Sequence, residues 1–123
     1  MKKISTNNAP AAIGPYAQAI DIGDLVFVSG QIPIDPATGT MADTIEAQAK
    51  QSLTNIKNIL AEAGLGMENV VKTVVFLADL GDFAAVNAVY ETFFADPFPA
   101  RSCVQVAGIP KGAKVEIECI AQR

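Results

Sequence analysis

Histidine is absent from this chain, arginine occurs only at Arg101 and Arg123, and there are two cysteines. Without histidine there can be no Ser-His or Cys-His nucleophile pair and few of the usual zinc-ligand sets. Cys103 and Cys119 lie inside apolar runs rather than in a secreted cysteine framework, which suits reduced core thiols. The carboxylates are scattered with no metal-ligand spacing, so neither a metal nor a cofactor is expected. Charged residues make up only 18% of the chain, with a net charge of -4. That balance gives no overall attraction to phosphate backbones, and nucleic acid is not an expected partner. Gly14-Pro15 and Ser29-Gly30 are too short to be phosphate loops. No apolar run reaches membrane-spanning length, and the basic start Met1-Lys2-Lys3 is not followed by a signal-peptide core. A cytoplasmic protein with no membrane partner is the expectation.

What the chain does have is apolar material, 50% of its 123 residues. This length suits one domain, residues 1–123, and its apolar richness implies that some surface meets other subunits. The first third reads as strands broken by turns: Tyr16 to Ile22, the turn Gly23-Asp24, then Leu25 to Val28 ending at Ser29-Gly30, together a hairpin. Prolines and a glycine make Gln31 to Gly39 a shaped loop. Ile45, Ala49, Leu53, Ile56 and Leu60 then recur at helical spacing. A helix is predicted from Asp43 to Ala63, with Asp43 and Glu46 as a capping box and Gly64 as a left-handed stop.

Val70 to Leu77 is β-branched and apolar, as in a central strand. Asp82 opens a second helix whose stripe is Phe83, Val86, Tyr90 and Phe93 or Phe94, stopped by Asp96-Pro97-Phe98-Pro99. Strands from Arg101 to Ala107 and Lys114 to Ala121 close the chain. The order is β-β-β-α-β-α-β-β, an α+β fold in which two helices of similar length cover one face of a single, mostly antiparallel or mixed sheet. The other face is left bare, and oligomerisation is the simplest way to cover it.

With period two, Arg101 shares a face with Cys103 and Gln105, opposite Ser102, Val104 and Val106. If the apolar set faces the helices, Arg101 lies on the bare face. If the last two strands pair as a hairpin, Glu116 and Glu118 fall close to Gln105 and Cys103 on that face. From the charges alone, structural ion pairs at a subunit seam are the simpler account. Tyr16, Ser29 and Asn87 likewise have plain readings, as a half-buried strand residue, a turn residue and a solvent-facing helix position.

The runs Ala12-Ile13-Gly14-Pro15-Tyr16, Val28-Ser29-Gly30-Gln31-Ile32-Pro33 and Pro99-Ala100-Arg101-Ser102-Cys103-Val104, taken with Val115-Glu116-Ile117-Glu118, resemble the RidA (YjgF) family over essentially the whole chain. The resemblance implies a homotrimer of chorismate-mutase-like fold with sites in clefts between subunits. It also implies hydrolysis of enamines and imines, such as 2-aminoacrylate and 2-iminobutanoate, to 2-oxo acids and ammonia. Under it Arg101 anchors the carboxylate of the imino-acid or 2-oxo-acid ligand and Glu116 holds the attacking water, while Tyr16, Ser29, Gly30, Asn87 and Cys103 line the cleft. The loop Phe94 to Pro99 is a few residues shorter than in close relatives, which bears on substrate range. The alternatives are a non-catalytic sensor of small 2-oxo acids and, less in keeping with the acidic balance, an endoribonuclease or translation inhibitor.

Overall fold

Five of the eight residues in Val70–Leu77 are β-branched, a composition suited to a pleated, packed surface. In the computed structural model, which describes residues 1–123, this run is bonded to strands on both sides within one six-stranded sheet. The elements are β1 (Lys2–Ile4), β2 (Ala19–Asp21), β3 (Leu25–Gln31), α1 (Ile45–Glu62), β4 (Val70–Leu77), α2 (Phe83–Tyr90), β5 (Ala100–Gln105) and β6 (Val115–Gln122). Across the sheet the order is β1-β2-β3-β6-β4-β5. Every pairing is antiparallel except β4 with β5, so the sheet is mixed and the fold is α+β as expected. No helix is long and apolar enough to cross a membrane.

The expected element order holds, and the strand that the pattern did not locate is β1 at the amino terminus. Several boundaries and one pairing differ. Tyr16 lies outside β2, in a turn where its N–H donates to the Gly14 carbonyl at 2.9 Å. The cap of α1 is Thr44, not Asp43, because the Thr44 hydroxyl accepts from the Ala47 N–H at 3.2 Å. That register takes Glu46 out of the third helical position and removes the Asp43–Glu46 capping box. Gly64 does stop the helix, at φ +76°. The helices are unequal, 18 residues against 8, since Asp79 first caps a short 3-10 turn over Leu80–Asp82 and regular helix ends at Tyr90.

The larger correction concerns β5 and β6. They are not a hairpin: β4 lies between them, parallel to β5 and antiparallel to β6. A parallel pair needs a crossover, and α2 supplies it between the two strands. Both helices pack on one face, where Val26, Val28, Val75, Leu77, Val115, Ile117 and Cys119 are buried against Leu53, Ile56, Ile59 and Leu60 of α1 and Val86 and Tyr90 of α2. The opposite face carries Phe27 and Val104, more than 40% exposed at 41% and 43%.

Buried amides tie the loops to this frame. Gln18 bonds Thr6 and Pro10, Asn55 donates to the carbonyls of Ile32 and Ile34, and Gln48 joins Ala42 to Lys114. Each satisfies backbone groups that would otherwise be stranded. The exception is Ser52 of α1, whose hydroxyl is fully buried with no partner. Replacing it with alanine removes an unsatisfied polar group at little loss of packing, so Ser52→Ala should raise stability by about 1 kcal/mol, read as a higher midpoint in a thermal melt.

Candidate active site

Arg101 and Thr73 share a rung of the parallel β4–β5 ladder, and residues on one rung point to the same face. Thr73 is fully buried beneath the helices, so Arg101 also points to the helical side. The expectation that Val104 faces the helices is therefore inverted. β5 is an edge strand, and its apolar residue Val104 is the exposed one.

On that side α2 meets Arg101 with three residues spaced i, i+4 and i+7, one stripe of the helix. The guanidinium carbon lies 4.8 Å from the Tyr90 ring centroid and 5.5 Å from that of Phe83. Nη1 donates to Oδ1 of Asn87 at 2.7 Å. Asn87 is thus a partner of Arg101 rather than a solvent-facing residue. The only salt bridge in the chain joins Arg123 to Asp21, which leaves Arg101 half-buried with no carboxylate of its own chain. A cleft of about 400 Å³ opens here, lined by Asn87, Tyr90, Glu91, Phe98, Pro99 and Arg101. Cys103 sits two positions along the same face, partly buried against the core. Burial pushes its thiol up and the nearby Arg101 charge draws it down less strongly, so it stays protonated at neutral pH.

Glu116 pairs with Phe76 in the β4–β6 ladder, three residues from Thr73, and three is an odd step. Its side chain accordingly points to the opposite face from Arg101. It lines a second cleft of about 650 Å³ with Tyr16, Ser29, Gly30, Ile32, Pro110 and Lys111. Ser29 donates its hydroxyl to the Ala17 carbonyl at 2.6 Å, which ties the loop before β2 to the end of β3. Gly30 is required for the close approach: a Cβ there would sit 2.9 Å from Cδ and Oε2 of Glu116. Any side chain would displace the carboxylate.

The predicted residues therefore divide, within one chain, into two groups on opposite faces of the sheet. Tyr16, Ser29, Gly30 and Glu116 share one cleft; Asn87 and Arg101 share the other, with Cys103 beside them. The largest cleft, about 730 Å³ around Met67, Val89 and Phe93, holds none of them. The pattern did not assign Phe83 and Tyr90 to the surroundings of Arg101, although both stand on the apolar stripe of α2. Reading Asn87 as part of that stripe would have found them. No three histidine, cysteine, aspartate or glutamate side chains converge as metal ligands.

A single mixed sheet has one helical face carrying an arginine without an acidic partner and an opposite face carrying a carboxylate packed against Gly30, which defines a small α+β protein with two candidate clefts. The chain belongs to the family described as endoribonuclease L-PSP, whose model matches residues 6–123, and within it stands with the RidA and YjgF proteins. It is 58% identical over 125 residues to the 2-iminobutanoate/2-iminopropanoate deaminase of Salmonella typhimurium, covering 99% of this chain and 98% of that one. The crystal structure of the Escherichia coli YjgF gene product superposes at a TM-score of 0.96, with 55% identity over 100% of this chain and 99% of that one. E. coli TdcF with bound serine superposes equally well, at 0.96 with 50% identity and the same coverage.

Burial holds the Glu116 carboxyl above its ordinary range, and the like charge of Glu118 two residues along the same face adds to the effect. The folded chain therefore keeps a proton that the unfolded chain has released, and this group's contribution to stability declines as pH rises from the ordinary carboxylate value through the folded one. Glu118→Gln removes the like charge, so the Glu116 pKa should move down; carboxyl carbon NMR titration of the variant against the wild type reads the shift directly.

Proposed function

We propose that this chain hydrolyses the reactive imines and enamines of small amino acids, 2-iminobutanoate and the 2-aminoacrylate/2-iminopropanoate pair, to 2-oxo acids and ammonia. The observation that carries this reading is the Arg101 guanidinium, half-buried over two aromatic rings and without an acidic partner. A cation so placed calls for an anion, and the planar fork of arginine matches a carboxylate through two parallel hydrogen bonds. The deaminase names of the relatives, at 58% and 56% identity, supply the substrate class.

The chemistry needs little else. An enamine first tautomerises, its β-carbon taking up a proton as the nitrogen releases one. The resulting imine carbon is already electrophilic, and Arg101 fixes it in place through the neighbouring carboxylate. Glu116 accepts a proton from a water as that water's oxygen bonds to the carbon and the C=N π electrons move to nitrogen. That proton then passes to nitrogen to give a carbinolamine; as the carbinolamine hydroxyl proton also moves to nitrogen, the C–N bond breaks and ammonia leaves while the carbonyl forms. A carboxylate held above its ordinary pKa is a better base toward water than an ordinary one, provided the pH keeps it ionised. Cys103 serves as a wall: with no histidine in the chain its thiol has no side-chain base beside it.

Arg101 and Glu116 of one chain point away from each other, so one substrate meets both only where two copies abut. We read the assembly as a homotrimer, in which the helix-free sheet face, with Phe27 and Val104 exposed, is covered by neighbouring copies. Sizing by light scattering should give three chains per particle; a monomer would leave each site half-built. A ribonuclease reading finds no support in the side chains, since the chain has no histidine and a net charge of -4.

The decisive assay couples a threonine dehydratase reaction to this protein and follows 2-oxobutanoate formation. Wild-type protein should accelerate release. Arg101→Ala should lose about 2–5 kcal/mol of transition-state binding, a fall of roughly 30-fold or more in kcat/KM, and Glu116→Gln about 100-fold or more in kcat. Tight binding of 2-oxobutanoate with no acceleration by the wild type would instead favour a sensor of 2-oxo acids.

A further inference from the structure

Arginines in protein interiors are usually held by carboxylates. Arg101 is held by an amide oxygen and two rings, and the ring nearer to it is itself tied down. The Tyr90 hydroxyl lies 2.7 Å from Oγ1 of Thr73, in a buried bond, and Thr73 stands on the same rung of the sheet as Arg101. Phe94 packs against Tyr90, its ring centroid 4.6 Å away. The Tyr90 ring is thereby fixed at both ends, by β4 at the hydroxyl and by α2 at the backbone.

We infer that Tyr90, with Phe83 as its weaker companion, is the positioning residue for the carboxylate grip: their ring faces hold the Arg101 cation in place without offering it an acceptor. This rests on the reading of Arg101 as the carboxylate anchor. A carboxylate in the place of Tyr90 would orient the guanidinium as firmly, but it would occupy the same N–H groups that the ligand needs and cancel the charge that attracts it. A ring face stabilises the cation through its quadrupole and leaves the fork free. Asn87 takes one N–H of Nη1, and the remaining donors stay available for a ligand.

The role is specific to charge, which separates it from simple packing. We would measure the Kd of 2-oxobutanoate and of its neutral isostere 2-oxobutanamide for the assembled wild-type protein and for variants, by calorimetry. The ratio of the two affinities reports how well the site recognises the negative charge. Tyr90→Leu, which keeps apolar volume and removes the ring, should lower that ratio about 3- to 30-fold. Tyr90→Phe, which keeps the ring and loses only its tie to Thr73, should stay within about threefold of the wild type. If Tyr90→Leu does not fold, Phe83→Leu takes its place at a residue 41% exposed, with an expected fall of about 2- to 5-fold. Equal weakening of both ligands, or an unchanged ratio in the folded leucine variant while Arg101→Ala abolishes charge recognition, would overturn the inference and leave the carboxylate anchor standing. An unchanged ratio in Arg101→Ala would overturn the anchor itself, and the inference with it.

Discussion

Thr73 and Arg101 share a rung of the β4–β5 ladder, and the burial of Thr73 under α2 carries Arg101 to the helical side with it. The two clefts follow from that one parallel pairing. Period-two alternation along β4 sends Phe76, and with it Glu116 on the next strand, to the other face. The sheet thus works as a partition: a cation gathers aromatic surroundings on the side where the helices lie, and a carboxylate gathers loops on the side where no helix does. Neither group meets the other within its own chain.

The helix α1 was legible from its helical spacing, β6 from its alternation, and β3 and β4 from β-branched, apolar runs, and their burial agrees. The candidate residues were legible only through motif resemblance; composition and alternation left Arg101 as an ion pair at a seam. What misled was adjacency. β5 and β6 are neighbours in sequence, and nothing in their residues announces that β4 inserts between them. The apolar Val104 then suggested the wrong buried face, because on an edge strand the hydrophobic residue need not be the inward one. The amino-terminal β1 was invisible for a different reason: three residues are too few to establish a period.

Charge is handled differently at the two candidate groups and at the chain's one ion pair. Arg101 is stabilised by rings and an amide oxygen, neither of which neutralises it. Glu116 is partly buried, with Glu118 as a like-charged neighbour and no salt bridge, so its carboxylate keeps its affinity for a proton. Where the chain needs only mechanical security it does the opposite, and pairs Arg123 with Asp21 to tie the end of β6 across β3 to β2. The two arginines differ in partner as they differ in purpose.

Because β5 is parallel to β4, it reaches its place only after the chain has crossed over through α2. The strand that carries Arg101 therefore lies at the rim of the sheet, beside the crossover helix that presents Phe83, Asn87 and Tyr90 to it. One strand–helix–strand unit thus supplies the whole arginine cleft: the crossover helix brings the rings and the amide, and the edge strand it leads to brings the cation.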